Sequence, residues 1–147
     1  MKKKSVILEV ISFSFIILFV YAAVTKLLDY EKFTVQIGQS PLLTDIAGFV
    51  GWFIPSIEIV IAVMLGFIRT RLMGLYGAFA MMVMFTGYII AILGFSEDIP
   101  CSCGGVLEKL GWKEHLVFNI AFVVIALVGI LLLSPKRRRR KAIIIQN

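Results

Sequence analysis

Four long apolar stretches decide what this 147-residue chain can fold into. They cover roughly residues 6–28, 49–68, 72–95 and 115–134, and a helix of about 20 residues crosses the hydrocarbon core of a bilayer. The chain is 60% hydrophobic and 16% charged, whereas soluble domains are about one-quarter charged. The sequence therefore predicts an all-α membrane protein, a four-transmembrane-helix bundle within residues 1–135, followed by a basic tail at 136–147.

Basic residues predict how the bundle is oriented. Eleven of the fifteen Lys and Arg residues lie before the first stretch, between the second and third, or after the fourth, and no acidic residue lies in those segments. Positively charged loops remain in the cytoplasm. We therefore expect an N-in/C-in protein of the bacterial inner membrane, with the loop between the third and fourth stretches facing the periplasm or exterior.

The net charge of +6 does not indicate a nucleic-acid-binding protein. The basic residues cluster at the ends of apolar stretches, and the sequence has no phosphate-binding glycine loop, zinc-finger spacing or repeat. The expected partner of this charge is the lipid bilayer.

Both cysteines of the chain, Cys101 and Cys103, lie in that outward loop. Pro100 before them and Gly104 and Gly105 after them favour a turn, in which the two thiols can approach each other. A disulfide across one intervening residue closes almost no loop, so it stabilises the fold little, and strained, exposed disulfides tend to be redox-active. Thiol–disulfide exchange is the leading interpretation.

Two alternatives for the cysteine pair remain open. The pair can form a local structural staple, or two thiolates can bind a soft ion such as Cu(I). A structural zinc site is disfavoured because only His115 remains as a further Cys or His ligand. No metal site is predicted.

His115 and Asn119 follow the cysteine loop, four residues apart on one helical face. A histidine near a thiol can lower its pKa or accept its proton, so His115 is a candidate catalytic residue with Cys101 and Cys103. An equally weighted interpretation makes His115 an interfacial residue that caps the helix. Asn119 is expected to hydrogen-bond between helices.

Three charged residues fall inside the apolar stretches. Glu58 lies at the middle of the second stretch and must face the bundle, because a carboxylate facing lipid is costly. Lys26 could pair with Glu58 or reach outward to water. A Lys26–Glu58 link, a proton-handling role and a headgroup-binding role all remain open. Glu9 is expected to pair with Arg69 or Arg71.

The segment from residue 29 to 48 mixes apolar and charged residues and contains Gly38 and Pro41. We expect a short helix there, lying on the outer surface as a lid over the bundle.

Several of these motifs resemble one family of membrane proteins. Residues 21–27 with Phe33, and the Pro55-x-x-Glu58 pattern, resemble the DoxX-like group. Three further motifs resemble the MauE branch of that group. They are Cys101-Ser102-Cys103-Gly104-Gly105, Leu110-Gly111-Trp112 and Asn119, in that order along the chain.

The resemblance implies a four-helix bundle associated with redox chemistry and a thioredoxin-like or disulfide-containing periplasmic partner. MauE is associated with maturation of methylamine dehydrogenase, and the DoxX name implies a quinone as a cofactor to consider. Lys26, Glu58, Trp112 and Asn119 would be supporting residues. The rival functions are an assembly or scaffold subunit with a structural disulfide, and a metal or small-molecule carrier that uses Glu58.

Overall fold

The computed structural model of the chain describes residues 2–38, 44–95 and 111–134. Cys101, Cys103, the side chain of Trp112 and the predicted basic tail lie outside the described residues. The predictions made for them are neither confirmed nor contradicted by the structure.

The described part of the chain is helical. It comprises α1 (Lys2–Leu28), α2 (Tyr30–Gly38), a 3₁₀ turn (Thr44–Ile46), α3 (Ala47–Gly66), α4 (Arg71–Phe95) and α5 (Trp112–Leu133). Four of these helices, α1, α3, α4 and α5, are long and apolar enough to cross a membrane. The predicted four-helix membrane fold is confirmed, with helix ends within four residues of the predicted ones.

The four long helices form a bundle in which each packs on two neighbours. Helix α1 packs mainly on α3 and α5, and α4 packs mainly on α3 and α5. We call the end at which α1 and α4 finish and α3 and α5 begin the loop end. The opposite end, at which α3 connects to α4, is the turn end. The cysteine-containing segment connects α4 to α5 and therefore starts and finishes at the loop end.

Aromatic side chains fill the middle of the bundle. Phe15 and Phe19 of α1 are buried, and their ring centroids lie 5.8 Å apart. Phe122 of α5 meets Phe15 edge-on at 5.2 Å, a favourable geometry for aromatic pairs. These contacts join α1 to α5 without polar groups.

Large apolar side chains also cover the outside of the bundle. Phe13 is 63% exposed, Trp52 67% and Ile68 82%. Apolar surface on this scale is costly in water and suits contact with lipid. The outward surface thus agrees with the membrane assignment.

The turn between α3 and α4 satisfies carbonyl groups left free by the end of α3. Thr70 donates its hydroxyl to the carbonyl of Met64 at 2.8 Å, and Arg71 donates Nε–H to the carbonyl of Leu65 at 3.4 Å. Such side-chain donors replace the missing helical hydrogen bonds. They also fix Arg71 against the end of α3.

Helix α2 packs on the beginning of α3 at the loop end. Phe33 and Ile37 of α2 are buried with Ala47, and the hydroxyl of Tyr30 donates to the carbonyl of Gly48 at 3.2 Å. The short helix predicted within residues 29–48 is therefore present, and it covers one side of the bundle.

Candidate functional site

An ion pair lies inside the bundle between α1 and α3. Lys26 Nζ is 2.5 Å from Glu58 Oε1, and the two side chains are 5% and 0% exposed. The pair therefore lies almost completely out of contact with solvent. The structure thus selects the Lys26–Glu58 link over a lysine that reaches outward to water.

Two aromatic rings surround the ammonium group of Lys26. Its Nζ lies 5.7 Å from the ring centroid of Phe33 on α2 and 5.4 Å from that of Phe85 on α4. Both distances suit cation–π attraction, which is stronger where water is excluded. Lys26 therefore contacts side chains from three other helices: α2, α3 and α4.

His115 and Asn119 of α5 are buried near this ion pair. Each is 3% exposed, and the backbone N–H of His115 donates to the carbonyl of Gly111 at 3.0 Å in the first turn of α5. Both residues share one helical face, as their four-residue spacing predicts, and the structure shows that this face is buried in the bundle. Helices α1, α3 and α5 thus bring together four predicted site residues, namely Lys26, Glu58, His115 and Asn119.

A small cavity of about 30 Å³ lies among these four side chains. Glu58 and Asn119 line it, and their buried Oε2 and Nδ2 atoms have no hydrogen-bond partner within the described part of the chain. One is an acceptor and the other a donor. The cavity has room for about one water molecule, which needs partners of both kinds.

The size of this cavity bears on the carrier interpretation. A small-molecule carrier that uses Glu58 needs a cavity reaching that carboxylate, and about 30 Å³ admits nothing much larger than water. No group of three or more His, Cys, Asp or Glu side chains among residues 2–38, 44–95 and 111–134 is arranged to hold a metal ion. The cavity beside Glu58 is therefore of a size that suits water.

A second, larger cavity also has Lys26 on its wall. It is a groove of about 670 Å³ between α2, α3 and α4, and among the described residues that line it Lys26 is the only charged one. Its other lining residues are almost all apolar or aromatic: Phe33, Ile37, Ile46, Phe49, Val50, Phe53, Ile54, Ile57, Ile61, Gly77, Ala80, Met81, Met84, Phe85 and Tyr88. A groove of this size and composition suits a lipid-soluble molecule.

Sequence reasoning missed this groove and the two rings around Lys26. Phe33 was noted for its place in a motif, and Phe85 gave no signal because an aromatic residue in an apolar stretch is ordinary. Expecting a partner for every charged group inside a membrane helix would have directed attention to aromatic residues near Lys26.

The comparison with known families is decisive at this point. A family model, described as methylamine utilisation protein MauE, matches residues 4–132. The chain belongs to the MauE family. The match spans all four long helices and the loop that contains Cys101 and Cys103.

Membership of the MauE family fits a membrane protein of methylamine utilisation or of a redox-related process. Neither the curated proteins nor the solved structures include a match to the chain. The broader DoxX-like likeness inferred from residues 21–27 and Pro55-x-x-Glu58 is not shown by the family match.

Proposed function

We propose that this MauE-family protein is a membrane thiol–disulfide oxidoreductase whose redox group is the Cys101–Cys103 pair. The observation that carries the proposal is the cluster of four buried polar side chains between the middle of the bundle and its loop end. Burying an ion pair, a histidine and an asparagine among apolar helices is costly, so a protein that needs only a bundle has little reason to keep them.

His115 is the proposed base for the cysteine pair. It lies in the first turn of α5, twelve residues after Cys103. Of the four residues in the cluster, it is the nearest in sequence to the cysteine pair. A thiol must lose its proton to attack a disulfide, and a neutral imidazole nitrogen can accept that proton. Trp112 and Asn119 of α5, Lys26 of α1 and Glu58 of α3 are the proposed supporting residues of this site.

The reaction conserves electrons as an exchange between two pairs of sulfurs. A thiolate of the Cys101–Cys103 dithiol attacks a disulfide of a partner protein, which forms a mixed disulfide and releases one partner thiolate. The second cysteine then attacks the sulfur of the first, so that the Cys101–Cys103 disulfide forms and the second partner thiolate is released. The partner leaves as a dithiol, and two electrons have moved. The same steps run in reverse when the partner is the reductant.

A periplasmic thioredoxin-like or disulfide-containing protein is the proposed partner. Contact with such a partner requires the N-in/C-in orientation in the inner membrane. The distribution of basic residues supports that orientation. A membrane quinone is the alternative electron carrier, and the large apolar groove beside Lys26 supports it because the ammonium group can donate to a quinone oxygen.

Trapping experiments in native membranes test the proposal. A Cys103→Ser variant, which cannot resolve a mixed disulfide through the second thiol, should accumulate a covalent complex with its partner, visible on non-reducing gels and identifiable by mass spectrometry. Ser102→Ala, which leaves both thiols in place, is the matched control. If neither Cys103→Ser nor Cys101→Ser forms a complex in membranes, exchange with a protein is refuted.

The redox potential of the pair separates the enzyme from a scaffold protein with a structural staple. Equilibration against glutathione should give a potential above about −300 mV, because structural disulfides typically lie below that value. A membrane-impermeant maleimide should label the reduced cysteines in intact cells. Labelling only after lysis would show that the loop faces the cytoplasm.

A further inference from the structure

A third cavity, at the turn end of the bundle, has no role in the proposed redox function. This headgroup groove, as we name it, has a volume of about 450 Å³ and lies between α1, the end of α3 and the start of α4. Its polar lining residues are Glu9, Ser12, Ser14 and Arg71. Glu9 and Lys26 are 17 residues apart on α1, so the groove is about 25 Å along the helix from the ion pair.

The groove carries a carboxylate and a guanidinium group that do not pair with each other. The sequence predicted that Glu9 pairs with Arg69 or Arg71, and this prediction is wrong, since Glu9 forms no ion pair within the described residues. The Nε–H of Arg71 is directed to the carbonyl of Leu65 at 3.4 Å, which holds the guanidinium on the α3 side of the groove. Both charges therefore face the same groove.

Ser12 contributes a buried hydroxyl to the groove. It is 2% exposed, and its Oγ has no hydrogen-bond partner among the described residues. A serine inside a helix commonly bonds to the carbonyl four residues earlier, as Ser14 does to Val10 at 2.9 Å. The hydroxyl of Ser12 makes no such bond although the residue lines the groove, and a buried hydroxyl without a partner costs stability.

The position of the groove matches the headgroup level of a bilayer. Arg71 is the first residue of α4 and follows the turn between two membrane-crossing helices, where the chain leaves the hydrocarbon. The other lining residues, Val10, Phe13, Ile16, Leu65 and Gly66, are apolar or lack a side chain. A molecule that fills the groove thus has both charged and apolar parts.

We propose that the headgroup groove binds an aminophospholipid with a phosphoethanolamine headgroup. Arg71 binds the phosphate, since guanidinium groups match phosphate geometry. Glu9 accepts hydrogen bonds from the primary ammonium, and Ser12 donates to an ester oxygen deeper in the groove. A purely anionic headgroup would leave Glu9 facing negative charge, and a choline headgroup has no N–H to donate to it.

Lipid titration of the purified full-length protein in detergent tests the proposal. The probes are phosphatidylethanolamine, phosphatidylcholine and phosphatidylglycerol with identical acyl chains, and native mass spectrometry measures binding of each. Phosphatidylethanolamine should bind about tenfold more tightly than the other two, the factor expected from one charge-assisted hydrogen bond. Equal affinity for all three lipids overturns the proposal.

Two variants locate the binding, and one serves as the control. Glu9→Gln should abolish the preference for ethanolamine over choline, and Arg71→Gln should weaken binding of all three lipids by about tenfold. Arg69→Gln removes a charge from the same turn, at a residue that does not line the groove, and should change neither. Loss of binding with Arg69→Gln equal to that with Arg71→Gln would indicate diffuse attraction to phosphate and refute a site.

A soluble analogue distinguishes a lipid from a small phosphate ester. Phosphoethanolamine alone should compete only weakly, because the apolar wall of the groove then has no acyl chain to contact. Tight binding of phosphoethanolamine with no binding of the lipid would assign the groove to a soluble ligand and overturn the lipid as its occupant.

Discussion

Two charged residues of helix α1, Lys26 and Glu9, differ in burial and in pairing. Lys26 is buried and lies 2.5 Å from Glu58 of α3. Glu9 is exposed at the edge of the headgroup groove, and Arg71 faces the same groove without pairing with it. A charge in the bundle interior must have a protein partner, whereas a charge near the membrane surface can use water or lipid.

The largest expected effect comes from breaking the interior pair. Lys26→Met or Glu58→Gln should each lower the free energy of unfolding in detergent by about 3–5 kcal/mol, because each leaves a buried group without its partner. The double variant should recover much of the loss. Thermal unfolding of the four proteins measures this, and losses that simply add would show that the two residues are not coupled.

A smaller effect should follow from forcing α3 and α4 apart at the turn end. A Cβ on Gly74 would lie 3.0 Å from side-chain and backbone atoms of Leu65, so Gly74→Ala should cost about 1–3 kcal/mol of stability. Gly87→Ala on the same helix is the matched control, because nothing lies within 4 Å of its added Cβ. Equal thermal stability of the two variants would contradict close contact between α3 and α4.

The smallest effect is expected at the surface charge. Glu9→Gln should change stability in lipid-free detergent by less than about 0.5 kcal/mol, since exposed substitutions rarely do more. The same thermal unfolding assay used for Glu58→Gln measures it. A loss comparable to that of Glu58→Gln would erase the difference between the two ends of α1.

Hydropathy and charge predicted the gross structure well. The four spans, the short helix α2 and an inward-facing Glu58 all follow from apolar length, turn residues and the cost of a charge in lipid. That His115 and Asn119 share one helical face followed from their spacing, whereas their burial did not.

The rotation of each helix about its axis could not be predicted in the same way. In a membrane bundle the lipid-facing and interior faces are both apolar, so periodicity does not reveal which face is buried. This is why the burial of Ser12, the rings of Phe33 and Phe85 around Lys26, and the separation of Glu9 from Arg71 emerged only from the packed helices. Sequence spacing alone placed Glu9 near Arg71 but could not show that a groove lies between them.

The central claim is that the buried cluster at the loop end serves the chemistry of Cys101 and Cys103. The most direct measurement is the rate at which the reduced cysteine pair attacks a small disulfide probe at neutral pH. His115→Gln keeps the size and polarity of the side chain but cannot accept a proton, and it should slow the reaction by about 10²-fold, the lower end for general acid–base catalysis. Lys113→Gln removes an exposed charge two residues away and should leave the rate unchanged. If His115→Gln, folded as well as the wild type, reacts at the wild-type rate, the cluster does not serve the thiols and the account is contradicted.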